Sequence, residues 1–145
     1  MRRVVAIGAG YSVDADRPEI RTMLQALDPD DPDLEPFRAA YARVAPRPED
    51  WPALIGKAKA MWRGFGGWDA NDMRAIAAPV MLIVGDRDFV RLDHALELFR
   101  MIPDARLAVL PGTDHAAPFT RAEWIAPMVV DFLEATAGPA GSDPS

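Results

Sequence analysis

The sequence predicts an α/β fold, and three observations carry that reading. Residues 4–7, 80–84 and 107–110 form short, nearly continuous apolar runs, the pattern of strands buried on both faces of a parallel sheet. Gly8, Gly85 and Pro111-Gly112 follow them, where the chain has to turn away from a strand end. Between the first two runs lie 65 residues, 11–75, in which helical patches alternate with proline and acidic loops. That is far longer than an ordinary crossover, so it reads as a helical, cap-like insertion over a site.

The elements follow in order. Residues 1–10 supply a core strand and turn. Within the insertion, helices are expected over 20–27, 37–44 and 53–62, the last introduced by Asp50-Trp51-Pro52, because proline suits a first helical turn. Gly64, Gly66 and Gly67 break helix before Trp68. Residues 76–137 form the C-terminal α/β core. There Asp93 is expected to cap a helix whose Leu96, Phe99 and Ile102 face the sheet, limited by Pro103. Thr120 and Glu123 have capping-box spacing ahead of a stripe of Trp124, Ile125, Met128, Val129, Phe132 and Leu133. Pro127 falls inside that stripe, predicting a kink or a later start. Residues 138–145 offer almost no side chain to bury and are expected to be disordered.

Composition narrows the function. Half of the 145 residues are apolar, the ordinary globular range. The net charge is −6 and the basic residues are scattered, which argues against a nucleic-acid partner. With no cysteine there is no disulfide, thiolate metal site or cysteine nucleophile. Met1-Arg2-Arg3 precedes an apolar run too short for a signal peptide. No run approaches the roughly 20 apolar residues needed to span a bilayer. The expectation is a cytoplasmic protein with no membrane partner.

The chemistry concentrates in Gly85-Asp86-Arg87-Asp88 and Gly112-Thr113-Asp114-His115, which follow the second and third runs. The C-terminal ends of parallel strands share one edge of a sheet, where ligands gather. A carboxylate at Asp88 can accept from one ring nitrogen of His115, fix its tautomer and stabilise its imidazolium, leaving the other nitrogen to activate a nucleophile. Asp88 and His115 are therefore the candidate catalytic residues. The competing structural roles are a turn cap for Asp88 and a hydrogen-bonded loop position for His115.

Other motifs are weaker. Gly8-Ala9-Gly10 begins like a dinucleotide fingerprint, but Val13 stands at its third glycine position. Asp93-His94 offers two adjacent ligand types without a second pair, so a cap and an exposed histidine are expected. The acidic run 28–33 lacks calcium-loop spacing and reads as a solvated loop. Trp51, Met61, Trp62, Phe65 and Trp68 suit either an apolar passage under the insertion or its own packing. No cofactor and no metal site is expected.

These residues, in this order, resemble the C-terminal part of the α/β-hydrolase superfamily. The run at 80–90 resembles the strand and loop that present the triad acid, with Asp88 at the acid position. Residues 110–115 resemble the histidine segment, with His115 at the histidine. The insertion resembles the family's cap, and residues 4–7 the strand before it. The resemblance implies a partial α/β-hydrolase fold and hydrolysis of a small, partly apolar ester or related acyl substrate. It also implies a nucleophile elbow, G-x-S-x-G or similar, upstream of residue 4. The three serines, Ser12, Ser142 and Ser145, make no such elbow, so this chain alone is expected to be inactive. A noncatalytic binding or interaction module derived from the same fold is the alternative. The apolar first strand would then present an edge for self-association or for a missing N-terminal half.

Overall fold

A computed structural model describes residues 2–135; the tail at 138–145 lies outside the described residues. Three strands, β1 (Val4–Ile7), β2 (Val80–Gly85) and β3 (Ala105–Leu110), pair in parallel in the order β1-β2-β3. Val4 pairs with Val80, and Val80 in turn with Ala105. β2 is buried along its whole length, which explains its unbroken Val-Met-Leu-Ile-Val sequence: every side chain meets apolar neighbours.

Alternation divides those neighbours between two faces. Val80 and Leu82 pack with Leu98 of α5 (Leu92–Met101) and with Ile102 at its C-cap. Met81 and Ile83 pack with Ile125 and Phe132 from α7 (Ala122–Glu134). Both faces are thus helix-covered, the layering that a parallel sheet requires.

The insertion contains α1 (Pro18–Ala26), α2 (Glu35–Val44), α3 (Trp51–Gly64) and the short α4 (Ala70–Arg74). Prolines stand in the first turns of the first three, where a missing N–H costs no intrahelical bond. The α3 helix ends at Gly64, as the glycine cluster predicts. The α4 helix, absent from the sequence expectations, begins with a reciprocal capping box between Asp69 and Asp72.

Four details differ from the sequence reading. Arg91, not Asp93, occupies the N-cap of α5, and Asp93 instead pairs with the Arg91 guanidinium. The buried residues of α5 are His94, Ala95 and Leu98, with Ile102 buried at its C-cap as expected, while Leu96 is exposed, because the register of the helix sets its stripe one step away from Leu96 and Phe99. Thr120 caps nothing: as the last residue of α6 (Ala117–Thr120), its hydroxyl donates back to the carbonyl of Ala116, the N-cap of that helix. α7 contains Pro127 internally and runs on to Glu134. Its stripe buries Ile125 and Phe132 but leaves Trp124 and Leu133 exposed.

Candidate active site

The site is assembled at the C-terminal edge of the sheet, where the loops after β2 and β3 are stitched together. Asp86 N–H donates to the Leu110 carbonyl at 3.0 Å and Arg87 N–H to the Thr113 carbonyl at 3.0 Å. Thr113 N–H returns a bond to Asp86 Oδ1 at 3.1 Å. The strands approach so closely here that a Cβ on Gly85 would lie 2.0 Å from the Thr113 carbonyl oxygen. Only glycine permits this closure of the two loops.

The closure brings the predicted pair together: His115 Nδ1 lies 2.7 Å from Asp88 Oδ1. Asp88 is almost completely buried, whereas the His115 side chain is 44% exposed. The Asp88 carboxylate also accepts from the Gly85 and Val90 N–H groups, each at 3.3 Å. These donors satisfy both oxygens and favour the ionised form. Burial pushes Asp88 up, but the His115 hydrogen bond, the Gly85 N–H, the His115 charge and the Val90 N–H outweigh it and hold the carboxyl below its ordinary range. The Asp88 hydrogen bond pushes His115 up, against burial and with help from the charges of Asp88, Asp16 and Asp114. An ionised Asp88 has only acceptors to offer, so His115 Nδ1 carries the proton and Nε2 is the free base. Phe89 stacks on the imidazole at 4.6 Å between centroids, holding the ring plane.

Two further features of this edge were not read from the sequence. Gly8, at the end of β1, has φ +57°, and a Cβ there would sit 2.8 Å from His115 Nδ1 and 3.3 Å from Asp88 Oδ2. Its glycine follows from room for the pair, and no helix opens at Gly10; the next helix starts at Pro18. The dinucleotide reading of Gly8-Ala9-Gly10 therefore has no structural counterpart.

His94 is the second. It is buried, contrary to the exposed side chain expected, and its Nε2 accepts from Tyr11 N–H at 3.2 Å while the two rings stack at 4.5 Å. Burial is the first cause holding His94 below its ordinary range. The result is a neutral pin for the loop after β1. That loop is fastened again where Arg17 N–H meets the Phe89 carbonyl at 3.1 Å and Arg91 N–H meets the Ala15 carbonyl at 2.9 Å.

The fastened loop delivers Asp16 to a cavity of about 370 Å³. His115 and Phe89 line its floor, and Leu24, Met61, Trp62, Phe65 and Trp68 line it from the insertion and the loop after α3. Of the aromatic group singled out in the sequence, Trp51 alone goes elsewhere: it is buried beside Tyr41 and donates to the Pro29 carbonyl at 2.9 Å. Ser12 does not line this cavity. It borders a separate polar recess with Asp14, Arg91, Asp93, His94 and Glu97, and its hydroxyl accepts from Asp14 N–H.

Comparison with known proteins places the architecture. No protein-family model matches the chain. The chain is 30% identical over 101 residues to the 2-hydroxy-6-oxo-6-phenylhexa-2,4-dienoate hydrolase of Burkholderia cepacia, a match that takes in 68% of this chain and 35% of that protein. Among solved structures, the hydrolase of the same name from Rhodococcus matches 92% of the chain with a TM-score of 0.63 at 22% identity, using 55% of its own length. A meta-cleavage product hydrolase from Pseudomonas fluorescens matches 90% with a TM-score of 0.61 at 19% identity, using 54% of its length. The enol-lactonase of Burkholderia xenovorans matches 93% with a TM-score of 0.57 at 19% identity, using 57% of its length. The chain thus spans about a third of the curated relative and somewhat over half of these structures. Its fold is that of part of an α/β-hydrolase. Among the described residues no helix is long and apolar enough to cross a membrane.

Proposed function

We propose that this chain, with its α/β-hydrolase fold, carries the acid and histidine of a hydrolase site acting on a small, partly apolar ester or related acyl substrate. The observation that carries this reading is the 2.7 Å Asp88–His115 contact at the floor of an apolar cavity. His115 Nε2 takes the proton of the attacking group and returns it to the leaving group; Asp88 holds the ring and stabilises the imidazolium between those steps. Helices α1 and α3 act as a cap, since Leu24, Met61 and Trp62 wall the cavity and exclude water from the reacting atoms.

The nucleophile comes from a segment outside these 145 residues. No serine or threonine lines the cavity among the described residues, and Ser12 faces the neighbouring recess. That segment would pair along β1, which among the described residues is paired only with β2. The test compares this chain with a polypeptide extended through the upstream reading frame. A serine-directed fluorophosphonate should leave Ser12 unlabelled and ester turnover by the chain alone at background. The extended polypeptide should turn over esters and lose that activity in His115→Ala. Labelling of Ser12 with turnover lost in Ser12→Ala would overturn the assignment of the nucleophile. An extended polypeptide that binds acyl ligands but never turns them over would instead establish the alternative, a noncatalytic binding module.

A further inference from the structure

We infer that His94 is a positioning residue for the cavity wall: through Tyr11 it holds the return leg of the insertion, residues 65–68, against the sheet edge, and protonation of its ring releases that leg. This goes beyond the hydrolase reading and stands or falls without it. His94 lies on α5, outside the cavity, and is 5% exposed. Its Nε2 accepts from Tyr11 N–H at 3.2 Å, and the two rings stack 4.5 Å apart at 17°. The backbone before Tyr11 meets the same ring: a Cβ on Gly10 would lie 3.5 Å from His94 Nε2 and 2.1 Å from the Ala15 Cβ. His94 thus grips the loop after β1 at one residue.

Tyr11 passes that grip on. Its carbonyl accepts from Trp68 N–H at 2.8 Å, the one hydrogen bond among the described residues that joins 65–68 to a distant part of the chain. Gly67 makes the approach possible, with φ +85° and a Cβ that would lie 3.1 Å from Ser12 Cα. Trp68 and Phe65 line the cavity and meet edge to face at 4.8 Å. Trp68 is 56% exposed, so burial contributes little to its place and the backbone bond correspondingly more. The bond from Tyr11 to the ring needs an unprotonated Nε2, because an imidazolium has only donors. Burial holds His94 below its ordinary 6.5; the Arg91 charge adds to this, and those of Glu97, Asp93 and Asp16 oppose it. Asp14 shares the polar recess beside it, and Arg74 of α4 acts on the Tyr11 phenol, which burial and Glu97 push up. A His94 freed from Tyr11 titrates at its ordinary value and a held one below it. The grip is therefore complete above about pH 6.5 and weakens as the pH falls toward the lowered value.

The test is amide hydrogen exchange on the full chain, resolved by NMR and read as protection factors. In the unmodified chain the Tyr11 and Trp68 amides should lose protection together, by about fivefold between pH 7 and pH 5.5, while the β2 amides keep theirs. His94→Gln retains an acceptor that does not titrate, and should leave both amides equally protected at the two pH values. The neighbouring carboxylates titrate in both chains, so the difference between the chains belongs to His94. His94→Phe keeps the ring stack and removes the acceptor; both amides should then be about tenfold less protected at pH 7. Loss of protection at Tyr11 without loss at Trp68 would overturn the inference, since the grip would end at the loop. Equal pH dependence in the unmodified chain and His94→Gln would overturn it too, and that comparison decides alone if His94→Phe fails to fold. No readout involves turnover, so a chain that hydrolyses nothing can still pass, and an active hydrolase whose Trp68 amide ignores pH fails.

Discussion

The loops after β2 and β3 and the helices between β1 and β2 meet at the same cavity but are held in place very differently. At the sheet edge, Asp88 and Thr113 are almost fully buried, and both of their side chains are hydrogen-bonded. In the insertion, α1 and α2 contain no buried residue, and α3 contains two, Trp51 and Ile55. Position at the edge is fixed by strands that cannot shift without breaking the core. The insertion lies over the cavity on a much thinner apolar contact. On the proposed function, the chemistry that needs sub-ångström placement falls to the first region, and the wall that shapes and admits a ligand to the second.

If this contrast holds, the largest effect comes from the centre of the edge. Asp88→Ala strips a partner from the Gly85 and Val90 N–H groups and from His115 at once. Unsatisfied buried donors make this destabilising by about 3 kcal/mol, to be read as a lowered urea midpoint. An unchanged midpoint would mean that the edge is no better ordered than the insertion.

Gly8→Ala comes next. A Cβ there would stand 2.8 Å from His115 Nδ1 at a φ of +57°, and both facts penalise alanine. A loss of about 2 kcal/mol is expected, together with a displaced His115 ring visible as a changed imidazole chemical shift. The same stability loss without the shift would leave backbone strain as the whole cause.

A smaller effect sharpens the electrostatics of the pair. The folded-state pKa of His115 lies above its ordinary 6.5, so its stabilisation is fully present below about pH 6.5 and is lost as the pH rises through that raised value. The Asp88 pKa lies below 3.8, so its share is present above that pH and is lost as the pH falls through the lowered value. The pair therefore contributes most between the two. His115→Gln should destabilise the chain more at pH 6 than at pH 9. With His115 44% exposed, solvent screening keeps the difference below about 1 kcal/mol. Paired denaturation curves at the two pH values measure it, and a larger loss at pH 9 would reverse the assignment of charge.

The sequence was most legible where burial leaves little choice. Continuous apolar runs located all three strands, and the loops that follow two of them carried Asp88 and His115 to within hydrogen-bond distance. The same rule, that strand ends gather at one edge, points to residues 8–16 after β1; followed that far, it would have flagged Asp16 as well. Glycine at 8 and 10 was harder to read, because a spacing says that backbone room is needed and not what occupies the room. His94 was misread because its partner, the Tyr11 N–H, is 83 residues away, a contact with no local signal. Helix registers failed for a related reason: Leu96 and Leu98 are equally apolar, and only the position of α5 against β2 decides which is buried.

The smallest expected effect lies in the insertion and bears directly on the contrast between the regions. Phe37, in the first turns of α2, is 60% exposed, and Val44 at its end is 82% exposed. Burial stabilises only in proportion to the apolar area removed from water, so most of what Phe37 could contribute is not realised. Phe37→Ser should therefore change stability by less than about 0.5 kcal/mol. The same lack of buried contacts predicts that α2 amides exchange with solvent well before those of β2, whose residues are buried and whose strand is paired on both sides. Hydrogen exchange on Phe37→Ser and the unmodified chain should give one rank order, with α2 fast and β2 slow in both. If Phe37→Ser instead cost as much as Gly8→Ala, or if α2 exchanged as slowly as β2, α2 would have to be covered by something further. This part of the insertion would then be as firmly placed as the sheet edge.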